Sequence, residues 1–359
     1  RRMRTILILM LLLIVGVLAA LTLTPIPIKP EAWTPPPVPA MEGPYAENTL
    51  LKDGAKRFGV NLGHGPEDVT VREGFAYTGL EDGRIMKVAL DGSSSSEYAN
   101  TGGRPLGLQF DAGGNLIVAD AIKGLVSIAP DGAVRVLSAS IGGKPMLFVD
   151  DLDIAADGTI WFSDASARFG IKDYINDLWE GAATGRLLSY NPATGETRVE
   201  LDGLRFANGV AIAKDQSFVL VTETAARRVK KLWINGPYKG RIETIVNGLP
   251  GFPDNMSTAP DGNFWVAMPS KANAQFDEVM PQPFLRGVMF RLTQWGLMSG
   301  PVPAPRGWAL KIDANGQVLK SLMDPNGESY HTITSVNEFD GQLYFGSIAQ
   351  DSMGRMPVP

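Results

Sequence analysis

One short pattern recurs six times after residue 45, and it limits the fold more than any other feature of the chain. Each copy has an apolar strand, a turn of Gly, Asp or Asn, and a second strand rich in β-branched and aromatic residues. Repeated sheets arranged around an axis form a propeller and leave only short strand edges. We therefore predict an all-β fold, with one six-bladed β-propeller over residues 45–359. The copies begin at Glu67, Leu106, Asp150, Asn208, Asp254 and Thr334.

Two insertions interrupt the repeat, at residues 166–184 and 270–305. Loops of this length inside a compact fold usually carry function. Both are rich in aromatic residues or methionine, so we expect them to be ordered. They form either a lid over an active face or a surface that packs on the propeller rim or on a membrane, and the sequence leaves these alternatives open.

The N-terminal segment predicts a membrane anchor. No charged residue occurs from residue 5 to 28, and residues 5–24 match the roughly 20 residues that a spanning helix needs. Three arginines precede this helix, which predicts a cytoplasmic N-terminus at residues 1–4 and a propeller on the periplasmic or extracellular side. The proline-rich residues 25–44 predict a stiff extended linker. A cleaved signal peptide is the alternative, although its apolar region normally has only about 7–15 residues.

Composition excludes several classes of function. The formal net charge of −5 gives no basic field, so a nucleic-acid partner is not expected. The chain has no cysteine, which excludes disulfides, thiol nucleophiles and thiolate metal sites. His64 and His331 are the only two histidines, and we expect His331 to be structural. A metal site in this chain must therefore use mainly oxygen ligands.

The first residue of each copy is expected to point into the central channel. Carboxylate and amide oxygens converging there from four blades are the ligands that Ca²⁺ prefers. Crowded carboxylates repel each other, and a cation removes that repulsion. We predict a site for Ca²⁺ or another divalent cation, although Asp and Asn at strand starts also serve as simple turn caps. The residues at these positions are Glu67-Asp68, Leu106, Asp150-Asp151, Asn208, Asp254-Asn255 and Thr334.

Several motifs extend this interpretation to a known family. The sequence resembles the strictosidine-synthase-like and adipocyte plasma membrane-associated protein branch of the superfamily of senescence marker protein, gluconolactonase and paraoxonase. The resemblance covers nearly all of residues 45–350. The motifs that carry it include HGPEDV from His64, FVDDLDI from Phe148, FANGV from Phe206 and LPGFPDN from Leu249.

The resemblance implies specific ligands. In paraoxonase-type relatives the catalytic calcium positions correspond here to Glu67, Asp150, Asn208, Asp254 and Asn255. A second, structural ion would use the acids that follow two of these ligands. Those acids are Asp68 and Asp151.

Three departures from the family pattern limit the reactions that this site is expected to catalyse. Asp150 stands where the family usually has Asn, which adds a negative charge. Leu106 stands where paraoxonases carry a catalytic His, so their His dyad is absent. Thr334 replaces the Glu with which strictosidine synthase removes a proton, and this argues against an amine–aldehyde condensation.

The function that these residues favour is calcium-dependent hydrolysis of small lactones or esters, of the gluconolactonase or arylesterase type. Asp254, Asp150 or His64 would act as the general base. Arg104 either binds a substrate carboxylate or forms a surface ion pair. The competing interpretation is a non-catalytic, membrane-tethered propeller that binds a partner protein or membrane complex and uses its ion only to hold the blades.

Overall fold

Antiparallel sheets build the larger of two compact units, and they form a six-bladed β-propeller, which confirms the predicted fold class. The structure is a computed structural model that describes residues 2–300 and 304–359. The propeller unit contains Pro36–Tyr174, Ala183–Ala272 and residues 304–359. Each blade has four strands, and the first strands of neighbouring blades contact one another in a closed ring.

The first three blades follow the predicted repeat without a break in strand order. Their first strands begin within two residues of the predicted starts of the copies. The strands are Val69–Arg72, Phe75–Gly79, Arg84–Ala89 and Ser95–Asn100 in blade 1; Pro105–Phe110, Leu116–Asp120, Gly124–Ile128 and Val134–Ser138 in blade 2; and Val149–Ile154, Ile160–Asp164, Gly185–Asn191 and Glu196–Leu204 in blade 3.

The last three blades include the one that joins the two ends of the propeller. The strands are Ala207–Ile212, Phe218–Glu223, Arg228–Trp233 and Ile242–Asn247 in blade 4; Met256–Thr258, Phe264–Ala267, Gly307–Ile312 and Val318–Asp324 in blade 5; and Ile333–Phe339, Gln342–Ser347, Met353–Pro357 and Lys56–Phe58 in blade 6. The outermost strand of blade 6 thus comes from the start of the propeller sequence. It pairs antiparallel with Met353–Pro357, and Arg57 stands opposite Gly354.

The core lies between the faces of adjacent blades. Phe218 of blade 4 packs against Phe264 of blade 5, with ring centroids 5.9 Å apart. Trp265 and Trp308 of blade 5 are fully buried. Because each blade buries both of its faces, the inner strands are held in a fixed arrangement around the channel.

Short elements complete the propeller unit. Two-stranded sheets pair Ser140–Ile141 with Lys144–Pro145, and Gly251–Phe252 with Ser270–Lys271. Two 3-10 turns occupy Gly43–Tyr45 and Ile171–Asp173, and a short helix spans Leu50–Gly54.

The smaller unit contains residues 2–35, Ile175–Ala182 and residues 273–300. Its helices are α1 (Arg2–Leu23), most of α2 (Tyr174–Glu180), α3 (Ala274–Val279) and α4 (Pro283–Gln294). Helix α1 is apolar, buries none of its residues in protein and is long enough to cross a membrane. It ends two residues before Pro25, which cannot continue a helix.

Glu31 and Trp33 of the proline-rich segment after α1 form hydrogen bonds with the insertions, and the stiff linker over residues 25–44 stays a prediction. The Glu31 amide donates to the Glu180 carbonyl at 2.9 Å, and the Trp33 amide donates to the Met280 carbonyl at 3.4 Å. The Arg286 side chain in turn donates to the Glu31 carbonyl at 2.5 Å. The parts of both insertions that belong to this unit therefore pack with the chain that follows α1. A lid role for them stays a prediction.

Replacing Phe58 with Ala should destabilise the propeller by about 3 kcal/mol, because it removes a buried aromatic ring from the strand that closes the ring of blades. Phe58 is buried and meets Tyr344 edge to face at 6.3 Å. Thermal unfolding in detergent would measure the loss, with the exposed Lys56→Ala on the same strand as the control. Equal effects of the two variants would contradict a core role for this strand.

Candidate metal centre

Bulges at the start of the inner strands aim side chains into the channel. The register of blade 3 shifts between Val149 and Leu152, and that of blade 4 shifts between Ala207 and Val210. A bulge adds a residue on one strand and re-aims its side chain. Asp150 and Asn208 lie inside these two shifts.

Three carboxylates from alternate blades meet at the axis. Oxygens of Glu67, Asp150 and Asp254 all lie within 4.8 Å of one another. Glu67 lies two residues before the inner strand of blade 1, and Asp254 lies two residues before that of blade 5. Asp150 lies within the inner strand of blade 3. Glu67 and Asp150 are buried, and Asp254 is partly exposed. The structure thus brings together the three acids predicted as ligands.

Two asparagines complete the cluster. Asn255 Nδ2 lies 3.2 Å from each carboxylate oxygen of Glu67, and the side chain of Asn208 hydrogen-bonds to Asp254. The Oδ1 atoms of Asn208 and Asn255 are buried and accept no hydrogen bond from the described residues. Buried acceptors without a donor are uncommon because they lose their hydration. Three carboxylates beside two such oxygens fit a hard divalent cation.

Burial and mutual repulsion make three charged carboxylates unfavourable here. Desolvation raises the pKa of Glu67 well above its usual value, and the charges of Asp254 and Asp150 raise it further. Desolvation, followed by the charge of Asp254, likewise raises the pKa of Asp150. Desolvation raises the pKa of Asp254 to about 7, against the opposing hydrogen bond from Asn208. The cluster must therefore bind protons or a cation near neutral pH.

Glycines allow the backbones that carry these acids to approach each other. A Cβ on Gly209 would lie 2.5 Å from the Asp254 carbonyl oxygen, and a Cβ on Gly346 would lie 1.9 Å from the Glu67 carbonyl oxygen. Neither position has room for a side chain. The repeat pattern predicts no role for these two glycines. Gly209 does, however, directly follow Asn208 in the FANGV motif.

Asp68 and Asp151 link the blades to one another. Asp68 accepts from the amide of its neighbour Val69 and from Leu108 of blade 2, both at 2.8 Å. Asp151 accepts from Val210 of blade 4 at 2.8 Å. Because backbone amides already engage both carboxylates, this geometry favours a structural role in holding blades. A second ion at these two acids stays a prediction.

Arg104 lies next to the acids rather than on the surface. Its residue is 7 % exposed, and its Nη1 donates to the Gly65 carbonyl at 2.9 Å. Desolvation lowers the pKa of Arg104, and the charge of Glu67 is the largest factor that raises it. No ion pair within 4 Å joins Arg104 to a carboxylate in the described chain. The described residues therefore do not form the surface ion pair that was the alternative for Arg104.

The other four residues singled out from the sequence lie in surroundings that suit catalysis or metal binding less well. The side chain of His64 is 60 % exposed, and its Nε2 lies 3.7 Å from Glu81 Oε2. Leu106 is buried, and Thr334 donates to the Glu67 carbonyl at 2.6 Å, which links blade 6 to blade 1. His331 Nδ1 lies 2.9 Å from the hydroxyl of Thr332. Thr334 therefore hydrogen-bonds to a residue of the cluster.

Tyr174 is a candidate site residue that the repeat pattern does not predict. This residue lies in the first insertion, at the first position of α2. Desolvation raises the pKa of its phenol, and the charge of Asp254 raises it further. Tyr174 lies within the predicted lid segment but outside the six repeats, so no repeat position marked it as a site residue.

Comparison with known proteins places the chain in a family. The family model for strictosidine synthase matches residues 150–237, and that for the N-terminal part of strictosidine synthase-like proteins matches residues 43–88. Adipocyte plasma membrane-associated protein of Rattus norvegicus is 35 % identical over 374 aligned residues, which cover 99 % of each chain. The chain belongs to the strictosidine synthase-like family, in the branch of adipocyte plasma membrane-associated protein. This confirms the resemblance seen in the motifs.

Solved structures share the propeller fold of this family member. A gluconolactonase of Xanthomonas campestris superposes with a TM-score of 0.61 at 15 % identity, covering 92 % of this chain and 97 % of its own. The calcium-binding protein regucalcin of Agrobacterium tumefaciens gives 0.59 at 12 % identity, covering 84 % and 93 %. At such identities the likeness extends to the fold alone.

Without divalent cations the protein should lose stability as the pH rises from about 4 to about 7. The pKa values of Glu67, Asp150 and Asp254 are raised in the folded state, so the folded protein holds more protons than the unfolded chain across this range. The stability that these protons provide is complete below about pH 4 and is lost as each group ionises. Thermal unfolding in a chelator at a series of pH values would measure the slope.

Added Ca²⁺ should reduce this loss, since it binds the ionised form. Asp150→Asn should flatten the slope in the chelator, because it removes one of the three charges, whereas Asp157→Asn in an exposed turn of the same blade should leave it unchanged. A stability that rises with pH over this range in the chelator would contradict the assignment.

Proposed function

We propose that the protein is a membrane-anchored hydrolase of small lactones or esters that depends on Ca²⁺ or a similar divalent cation. The observation that carries the proposal is the meeting of three carboxylates within 4.8 Å, beside two buried asparagine oxygens that accept no hydrogen bond from the part of the chain that the structure describes. The gluconolactonase and regucalcin folds support it by analogy.

The ion would be held by Glu67, Asp150, Asn208, Asp254 and Asn255, which supply only oxygen donors. When bound, it supplies Lewis-acid polarisation of the carbonyl group of a lactone or ester. The protein contributes the rigid placement of these oxygens, because inner strands packed between neighbouring blades cannot move independently.

Asp254 is the best candidate for the general base. It is the only one of the three acids with partial exposure, so water reaches it. An Asp254 oxygen would take a proton from water as the water oxygen bonds to the carbonyl carbon, and would return it to the leaving alkoxide as the ester C–O bond breaks. Asp150 is the second candidate but is buried. His64 is less suitable, since its side chain is largely exposed and lies beside Glu81.

Arg104 would bind an electronegative group of the substrate. A buried guanidinium that has no carboxylate partner among the described residues retains donors for a ligand, and planar N–H groups match a carboxylate. Arg104 donates to the carbonyl of Gly65, two residues before Glu67, so a group bound by Arg104 would lie close to the proposed ion ligands. Substrates that carry a carboxylate would therefore be preferred.

The membrane part of the proposal concerns α1. We propose that α1 is a single spanning helix with residues 1–4 in the cytoplasm and the propeller on the periplasmic or extracellular side, because three arginines lie within residues 1–4 and no charged residue follows them in the helix. The small-molecule substrate would then be met outside the cytoplasm. The relative from Rattus norvegicus carries plasma-membrane association in its name.

Hydrolysis tests the proposal directly. The full-length protein would be freed of metal with a chelator and assayed on a panel of lactones and aryl esters, with and without added Ca²⁺. Asn208→Ala and Asp254→Asn should lower kcat by about 10²-fold or more, since each removes a ligand and the second also removes the base. Asp157→Asn is the matched control on the surface. If Ca²⁺ raises the melting temperature but no substrate is hydrolysed above background, the non-catalytic binding module is the correct interpretation.

The role of Arg104 predicts a change in substrate preference. Arg104→Gln should raise KM about 10-fold for esters that carry a carboxylate, because a charge-assisted hydrogen bond contributes about 1.5–3 kcal/mol. KM for neutral esters of the same size should change little, and Arg135→Gln at an exposed position serves as the control. Equal changes for charged and neutral esters would show that Arg104 only supports the structure.

A further inference from the structure

Helix α4 buries a charged side chain and exposes large apolar side chains, which is the reverse of an ordinary surface helix. It buries Arg286, Gly287 and Phe290 against the rest of its unit. Its outward side instead carries large apolar side chains, and Phe284 is 72 % exposed. A surface helix of a soluble protein normally turns its apolar stripe inward and its charges outward. The outward side of α4 therefore needs an apolar environment that the described chain does not supply.

Apolar residues that are exposed or half-buried form one continuous stripe. Phe284, Val288, Leu292 and Trp295 follow one another at steps of four, four and three residues, which places them on one face of a helix. Leu297, just beyond the helix, is 71 % exposed and extends the stripe. We name this stripe, with Leu285 beside it, the apolar face of α4.

Arginine contacts hold α4 rigidly in this orientation. Arg286 Nη1 donates to the Met280 carbonyl at 2.9 Å, and its Nη2 donates to the carbonyls of Glu31 and Glu180 at 2.5 and 2.9 Å. Phe290 meets Trp179 edge to face at 5.7 Å. These buried contacts fix the helix with its apolar face outward. Turning that face inward would break the hydrogen bonds of the Arg286 guanidinium and leave its carbonyl partners without this donor.

The position of α4 relative to α1 identifies what covers the apolar face. Helix α4 packs against α1, and Arg291 Nε donates to the carbonyl of Thr24 at 2.7 Å. Thr24 directly follows α1, whose 22 residues span about 33 Å, the thickness of a bilayer core. The end of a spanning helix marks the membrane surface. Arg291 therefore ties α4 to the depth at which α1 leaves the bilayer.

We propose that the apolar face of α4 lies in the interfacial layer of the same membrane leaflet from which α1 emerges. Trp at one end of the face is the residue type enriched at this depth. From residue 279 to 300 the chain has no acidic residue, so this segment carries no charge that an anionic lipid surface would repel. The second insertion is thus a membrane-bound element that fixes the unit against the bilayer. The proposal rests on the spanning role of α1 within the proposed function.

Lipid quenching tests the proposal on the full chain, because the absence of cysteine allows single labels. Phe284→Cys and Leu297→Cys would each carry a fluorophore, and the protein would be placed in nanodiscs of phosphatidylcholine and phosphatidylglycerol. Some of these lipids would bear a nitroxide near the carboxyl end of the acyl chain. Both labels should lose most of their fluorescence to the nitroxide and resist aqueous iodide. Leu319→Cys, at a propeller position that is 51 % exposed, is the control and should respond to iodide instead.

A label at Leu13→Cys in α1 separates the two proposals. Quenching at position 13 by a deep nitroxide, without lipid quenching at 284 and 297, would overturn the interfacial role of α4 and leave the anchor intact. Absence of quenching at position 13 would overturn the anchor and with it this inference. Labels at 284 and 297 that resist both lipid nitroxide and iodide would show that a second copy of the chain covers the face, which also overturns the proposal.

Discussion

The repulsion among three carboxylates at the axis is the constraint on which this structure depends. Glu67, Asp150 and Asp254 come from alternate blades, and their oxygens lie within 4.8 Å of one another. Desolvation raises the pKa of each, so the folded protein either keeps them protonated or neutralises them with a cation. The Oδ1 atoms of Asn208 and Asn255 accept no hydrogen bond from the described residues, and they favour the cation because a hard divalent ion takes amide oxygens as ligands.

The propeller holds these acids together through polar links between inner strands as well as through its apolar core. Asp68 joins blade 1 to blade 2, Asp151 joins blade 3 to blade 4, and Thr334 joins blade 6 to blade 1. Gly209 and Gly346 let neighbouring backbones approach more closely than any side chain would allow. The site is therefore a property of the closed ring, and no single blade could form it alone.

The sequence predicted the ring of blades and the three acids because both repeat with the hairpin pattern. It did not predict the closing strand Lys56–Phe58, since that strand pairs with residues about 300 positions away and belongs to no copy of the repeat. Tyr174 was missed for a similar reason, because it lies in an insertion. The packing of residues 29–33 with Glu180 and Arg286 was also out of reach, because proline-rich composition predicts an extended chain but not its neighbours. The repeat pattern therefore predicted the blades and the three acids, but it did not predict contacts made by residues outside the repeat.

Anomalous X-ray diffraction from crystals of the full chain grown with Ca²⁺ would test the central claim most directly. We expect one ordered ion at the axis, with oxygens of Glu67, Asp150 and Asp254 about 2.3–2.6 Å away. The Oδ1 atoms of Asn208 and Asn255 should complete its ligands. A channel without an ion at saturating Ca²⁺, with the three acids hydrogen-bonded to one another in protonated form, would contradict the account.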